Sequence, residues 1–73
     1  PEWLRGTVSS VERRGDGTWR LVLDDGSTWA QSDPAQQWFL KSGDEIELRK
    51  GMLGAWFVRK EGRNTALRVR PSR

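Results

Sequence analysis

Apolar and polar residues alternate along most of the chain, which is the pattern of strands with one buried face. The alternation occurs in six segments: residues 4–12, 18–24, 27–31, 45–50, 55–60 and 66–70. In the first and weakest of them, Gly6 is expected to mark a bend or bulge. Short strands at this spacing, separated by glycine-containing turns, predict an all-β fold: a small antiparallel barrel of five or six strands.

One segment between the third and fourth strands breaks the alternation. Asp33 is a good helix N-cap, Pro34 suits the first helical position, and Gln36 follows three residues after the cap. These signals predict one helical or 3₁₀ turn near residues 34–38. The apolar residues at its end, 38–40 (WFL), are expected to close one open end of the barrel.

The position of Trp29 depends on the turn that precedes it. If residues 25–26 (Asp-Gly) form a two-residue type I′ turn, Trp29 pairs with Val22 and faces away from the core. If residues 24–26 form a three-residue loop with a glycine bulge, Trp29 pairs with Leu21 inside the core. We favour the bulged loop, because it joins Trp29 to the more apolar face. Trp29 is then chiefly structural.

The 73 residues are predicted to form a single domain, 1–73, because no internal repeat, linker or low-complexity segment interrupts them. The chain has no cysteine, so no disulfide stabilises this small fold. Five tryptophans and two phenylalanines supply apolar area instead, and most of the tryptophans are expected in the core. No apolar run approaches the roughly 18 residues of a membrane span.

Charge is distributed unevenly along the chain. Residues 1–48 carry five Lys/Arg and nine Asp/Glu, a net charge of −4. Residues 49–73 carry eight Lys/Arg and only Glu61 as an acid, a net charge of +7. The asymmetry indicates a basic face that attracts anions, nucleic acid or an acidic membrane surface; a solvated strand face with a frayed C-terminus is the alternative.

The residue inventory argues against catalysis. The chain has no histidine, cysteine or tyrosine, and thus lacks the usual general base, thiolate nucleophile and phenolic acid. The carboxylate pairs Asp24-Asp25 and Asp44-Glu45 both lie beside glycines, which is typical of turns, and their spacing matches no calcium loop. GMLGAW (51–56) links two strands and is interpreted as a turn.

We therefore expect a protein that is not an enzyme and has no catalytic residue, no metal site and no cofactor. A hydrolase that uses Asp24 and Asp25 is the remaining catalytic alternative.

Basic residues interleaved with aromatic residues carry the remaining functional signal. The strand AWFVRK (55–60) has large apolar groups on both faces, so either both faces are buried or one binds a partner. The candidate binding surface consists of eight residues: Trp56, Phe57, Arg59, Arg49, Arg68, Arg70, Arg20 and Trp38. It predicts a non-catalytic module that binds a protein or an envelope component. The alternative is a binder of single-stranded RNA or DNA, with the aromatic rings stacking on bases and the arginines contacting phosphates.

Three segments resemble a known group of sequences. LDDGSTWAQ (23–31), KSGDEIELRKGMLG (41–54) and the arginine-rich LRVRPSR (67–73) are similar to conserved elements of uncharacterised small proteobacterial proteins and C-terminal domains. Their pattern is LDxGxxWxQ followed by KxGDxxxxxxGxLG. Members of this group look exported or envelope-associated and often begin with a signal peptide. The resemblance implies a bacterial source and a periplasmic location, but no mechanism; the residues themselves leave the cytoplasm open.

A second resemblance is to small OB-fold RNA binders of the S1 and initiation-factor type. GTV (6–8), RLVLDDG (20–26) and GDEIEL (43–48) fall in a similar order and spacing. After Lys50, however, an additional hairpin replaces the shorter ending of those proteins. The resemblance implies RNA binding by an OB-like barrel, and the additional hairpin leaves an SH3-like barrel as an equal alternative.

Overall fold

The computed structural model describes residues 3–72, which form a closed antiparallel barrel of six strands. The strands are β1 (Leu4–Arg13), β2 (Trp19–Leu23), β3 (Thr28–Gln31), β4 (Glu45–Lys50), β5 (Trp56–Lys60) and β6 (Ala66–Ser72). Their order around the barrel is β1-β2-β3-β6-β5-β4, and β4 pairs with β1 to close the ring. The prediction of a small all-β barrel is confirmed, with six strands rather than five.

The core fills the inside of the barrel, and every strand contributes to it because alternate side chains point inward. Its buried residues are Val8, Leu21, Leu23, Trp29, Leu40, Ile46, Leu48, Val58, Leu67 and Val69. Nine of these ten lie on strands, and the tenth, Leu40, comes from the connection between β3 and β4. The period-two pattern of the sequence therefore identifies nearly the whole core.

The hairpin between β2 and β3 adopts the bulged register. Leu21 pairs with Trp29, and Gly26 has the left-handed φ of 86° that this loop requires. The backbone N–H of Leu23 donates to Ser27 O at 2.9 Å, which closes the three-residue loop. Trp29 is only 8% exposed. The prediction that Trp29 is a core residue is confirmed.

β1 is the long strand that pairs with two neighbours. Its first half pairs with β4 and its second half with β2, and the register shifts between Val8 and Ser10. Gly6 instead stands in a regular pair with Ile46. The bulge predicted at Gly6 thus lies further along the strand, where β1 exchanges one partner for the other.

The connection between β3 and β4, residues 32–44, contains no helix. Asp33 behaves as expected of a cap, because its Oδ1 accepts the N–H of Ala35 at 3.0 Å. The N–H of Gln36 then donates to Asp33 O at 3.1 Å. The helical turn predicted near residues 34–38 is corrected to this single β-turn.

Two glutamine side chains explain why the turn does not continue into a helix. Gln31 is buried; its Oε1 accepts the N–H of Trp19 at 3.1 Å, and its Nε2 donates to two carbonyls of the connection at 2.9 and 2.8 Å. The Gln36 amide pairs with the backbone of β6, accepting from Arg68 N at 2.8 Å and donating to Ala66 O at 3.2 Å. A helix that continued past Gln36 would break these bonds.

The same connection covers one end of the barrel, here called the closed end, where β3 ends and β4 begins. Leu40 joins the core, and Trp38 and Phe39 pack against it. The Trp38 ring stacks on Trp19 with centroids 6.1 Å apart, and its Nε1 donates to Leu40 O at 2.8 Å. The expectation that the WFL group closes one end is confirmed.

The other end of the barrel carries the connection between β4 and β5. Within this connection, Met52–Gly54 form a 3₁₀ turn, here called the hairpin tip. Leu53 adopts a left-handed φ of 59°, and Gly54 follows with 76°. Met52 is 86% exposed and Leu53 fully exposed. The interpretation of GMLGAW as a turn is confirmed. No helix within residues 3–72 is long and apolar enough to span a membrane.

Candidate binding surface

A row of outward side chains crosses β4, β5 and β6. Arg49 pairs with Phe57, and Phe57 pairs with Arg68, so these side chains are direct cross-strand neighbours. The Phe57 ring lies against the backbone of Gly51, where a Cβ atom would come within 2.7 Å of Cε2. Phe57 is half-buried in this position and has an arginine on each side.

Arg59 and Arg70 extend this row, because residues two apart on a strand share a face. Arg59 follows Phe57 on β5, and Arg70 follows Arg68 on β6. We call the five side chains the basic face: Arg49, Phe57, Arg59, Arg68 and Arg70. Five of the eight candidate residues therefore lie together.

Trp3, immediately before β1, supports two arginines of the basic face. The guanidinium carbon of Arg59 lies 3.9 Å from the Trp3 ring centroid, and that of Arg49 lies 4.9 Å from it. Each cation–π contact contributes about 0.5–2 kcal/mol, depending on its exposure. Sequence reasoning missed Trp3, because it stands outside the alternating segments. Its proximity to two arginines depends on the pairing of β1 with β4 and of β4 with β5.

Arg20 lies on a second outer row that meets the basic face at Arg70. The row runs Glu12–Arg20–Ala30–Arg70 across β1, β2, β3 and β6. Arg20 donates to Glu12 Oε1 at 3.2 Å, and Arg70 donates to Gln31 O at 3.0 Å. Arg20 is thus separated from the other arginines by Ala30 and is already engaged by an acid.

Trp56 and Trp38 do not belong to the basic face. Trp56 lies on the inner side of β5, where its ring meets Trp29 edge-on with centroids 5.0 Å apart. Trp38 lies at the closed end, stacked on Trp19. Both rings stabilise the core, and the structure does not bring them together with the arginines.

The basic face carries more positive charge than its ion pairs neutralise. Three ion pairs occur within residues 3–72: Arg20–Glu12, Arg59–Glu47 and Lys60–Asp44. Arg49, Arg68 and Arg70 take part in none of them. Arg68 and Arg70 are exposed, whereas Arg49 is half-buried against Trp3. An approaching acidic group therefore meets the exposed guanidinium of Arg68 beside the Phe57 ring, and the N–H donors of Arg70 that its bond to Gln31 O leaves available.

The carboxylates of the turns accept hydrogen bonds from residues close to them in sequence. Asp25 Oδ1 accepts the hydroxyl of Ser27 at 2.6 Å and its N–H at 2.8 Å, and these bonds lower the pKa of Asp25. Asp44 is buried; its Oδ2 accepts the N–H of Lys41 at 3.0 Å. No cluster of three or more acidic side chains within residues 3–72 could hold a metal ion.

A cleft of about 350 Å³ lies apart from these features, between the 32–44 connection and the β5–β6 turn. Its lining residues are Gln36, Gln37, Phe39, Arg63, Thr65 and Leu67. Sequence reasoning counted Arg63 only toward the charge of the basic half. The cleft brings together residues that are distant in sequence, so no local sequence pattern predicts it.

Comparison with known proteins yields no relative, since no family model, curated protein or solved structure matches the chain. The resemblances to proteobacterial exported proteins and to OB-fold RNA binders stay predictions. Function is therefore argued from the geometry of the barrel.

Proposed function

We propose that the chain is a non-catalytic binding module whose basic face holds an acidic segment of a protein or envelope partner. The observation that carries this proposal is the cross-strand row Arg49–Phe57–Arg68. Arginine binds carboxylates through two parallel hydrogen bonds, and an aromatic ring between two arginines adds apolar contact. Arginine and aromatic residues are also enriched at protein interfaces.

The spacing of the arginines favours an extended partner segment. Arg68 and Arg70 are alternate residues of β6, so their Cα atoms lie about 7 Å apart. Alternate residues of an extended peptide have the same spacing. A segment with acids at every second position would therefore meet both guanidinium groups at once.

The aromatic residues support a protein partner over single-stranded nucleic acid. Binding by base stacking needs aromatic rings with an open face. The guanidinium groups of Arg49 and Arg59 lie over the Trp3 ring, and Trp29 packs against Trp56 in the barrel. Phe57 is the aromatic ring of the basic face, and it is half-buried. Single-stranded nucleic acid is accordingly the alternative ligand of the basic face, and a binding experiment must distinguish it from an acidic peptide.

We also propose that the barrel is OB-like rather than SH3-like. β1, β2 and β3 are joined by hairpins, and β4 returns through a long connection to lie beside β1. This spatial order, β4-β1-β2-β3, is a Greek key, and the OB fold is a Greek-key barrel. β5 and β6 are then the additional hairpin. The likeness concerns architecture alone, because one fold serves many functions.

The test is an NMR titration of the ¹⁵N-labelled protein with three probes: a peptide with glutamate at alternate positions, the same peptide with glutamine, and oligothymidylate. We expect the acidic peptide to shift the amides of β5 and β6, and the glutamine peptide to leave them unchanged. Arg68→Glu should weaken binding of the acidic peptide by at least about tenfold. The matched control Arg14→Glu changes an exposed arginine of the β1–β2 turn by the same charge, and should weaken binding by less than about twofold.

Two outcomes would contradict the proposal. If neither β5 nor β6 responds to the acidic peptide at millimolar concentration, the basic face is not its site. If oligothymidylate binds the same strands more tightly, with a steep salt dependence, the module binds nucleic acid instead.

A further inference from the structure

The cleft at the closed end is lined by both apolar and polar side chains. Phe39 and Leu67 are the apolar lining residues, and the polar ones, here called the rim, are Gln36, Gln37, Arg63 and Thr65. Its volume, about 350 Å³, lies at the lower end of the range for small-molecule pockets. A ligand of this size is an amino-acid derivative or the last residue of a peptide.

The walls of the cleft are held in place without a ligand. The side-chain amide of Gln36 is fixed by its two hydrogen bonds to β6, and Leu67 is a fully buried core residue. On the opposite wall, the N–H of Arg63 donates to Lys60 O at 2.9 Å, and Gly62 supplies the left-handed φ of 86° for this turn. A preformed site loses less conformational entropy on binding.

The rim is positively charged and has free hydrogen-bond donors. Arg63 is the one charged residue that lines the cleft, and no acid lies beside it there. Within residues 3–72, the side chains of Arg63, Gln37 and Thr65 take part in none of the ion pairs and side-chain hydrogen bonds found. A guanidinium, an amide and a hydroxyl thus line the same cleft as the apolar side chains.

We propose that this cleft binds a carboxylate carried on an apolar group. The carboxylate pairs with the Arg63 guanidinium, which offers two parallel N–H donors. The apolar group lies against Phe39, beside the buried Leu67, where it is removed from water. Such a ligand is either the C-terminal residue of a peptide or a small free carboxylic acid. This site is separate from the basic face and does not depend on the function proposed for it.

The experiment is an NMR titration with N-acetylleucine, its amide, and a tripeptide that ends in leucine. We expect both carboxylates to shift the backbone amides of Gln37, Phe39, Arg63 and Thr65, and the leucine amide to bind at least about tenfold more weakly. If the tripeptide binds much more tightly than N-acetylleucine, the ligand is a peptide terminus; equal affinities identify a small acid.

Two substitutions test the role of the rim. Arg63→Gln should weaken carboxylate binding by at least about tenfold, and the matched control Arg14→Gln, with the same change of net charge, by less than about twofold. Thr65→Val keeps the shape of the rim and should cause a smaller loss than Arg63→Gln. Equal binding of acid and amide would overturn the proposal, as would shifts elsewhere on the barrel or unchanged affinity in Arg63→Gln.

Discussion

The two ends of the barrel obtain their conformations in different ways. At the closed end, the 32–44 connection is held by the amides of Gln31 and Gln36 and by the stack of Trp38 on Trp19. At the other end, the hairpin tip has no side-chain cap and leaves its apolar residues in solvent. Tertiary hydrogen bonds fix the closed end, whereas local backbone geometry fixes the hairpin tip. Substitutions at the two ends should therefore change stability in opposite directions.

The largest effect is expected at Gln31. Gln31→Leu removes three hydrogen bonds and leaves partly buried backbone groups without partners, so the free energy of unfolding should fall by about 2–4 kcal/mol. Urea unfolding followed by tryptophan fluorescence measures the change. The control Gln37→Leu alters an exposed glutamine of the same connection and should stay within about 0.5 kcal/mol of the parent. A loss below about 1 kcal/mol at Gln31 would mean that packing, not hydrogen bonding, holds the closed end.

A substitution that increases stability is expected at the hairpin tip. Leu53 adopts an unfavourable left-handed φ and buries no side-chain surface in return, whereas asparagine adopts this conformation more readily. Leu53→Asn should raise the free energy of unfolding by about 0.5–1 kcal/mol. Met52→Asn is the matched control, because Met52 is also exposed but has no positive φ, and it should change little. Destabilisation by Leu53→Asn would reveal a contact of Leu53 that stabilises the fold.

The smallest effect on stability is expected from a hydrogen-bonding pattern that occurs in one turn at each end. Asp16 lies in the β1–β2 turn at the closed end and Asp25 in the β2–β3 turn at the other end. Each carboxylate accepts the hydroxyl and the N–H of the residue two positions later. The side-chain hydrogen bond from Thr18 is the main cause that lowers the pKa of Asp16, and that from Ser27 lowers the pKa of Asp25.

Because these pKa values are lower in the folded than in the unfolded chain, the stabilisation is complete above the unfolded pKa and is lost as pH falls through the folded pKa. The urea midpoint should therefore decrease below about pH 4. Asp16→Asn and Asp25→Asn should each flatten this decrease slightly and equally. A clear difference between the two variants would show that the ends also differ in their turns.

The fold could be predicted where it depends on residues close in sequence. The alternation of apolar residues gave the strands, and Asp24-Asp25-Gly26 gave the bulged hairpin that buries Trp29. The absence of a helix after Asp33 could not be predicted from the neighbouring residues, because it depends on the hydrogen bonds of the Gln36 amide to β6. A capping rule takes no account of a strand so far along the chain.

The candidate site was predictable in composition but not in arrangement. The arginines of β4, β5 and β6 were named from their positions on strands, and their assembly into one face depends on register between strands distant in sequence. The sequence placed Trp56 on the candidate binding surface, because AWFVRK carries large apolar groups on both faces. In the barrel Trp56 points inward and packs on Trp29, a contact that depends on barrel closure. Trp3 and the cleft beside Arg63 depend entirely on tertiary contacts.

Closure of the barrel also limits how this chain can associate with others. Each described strand has a hydrogen-bonded neighbour on both sides, so none forms a full-length sheet edge, and unpaired stretches are confined to the parts of β1 and β6 that exchange partners. A partner therefore finds no full-length edge on which to add a strand, and recognition falls mainly to side chains. Copies of the folded chain likewise find no full-length edge for an intermolecular sheet, so extended amyloid-like pairing should require that a strand pair first open.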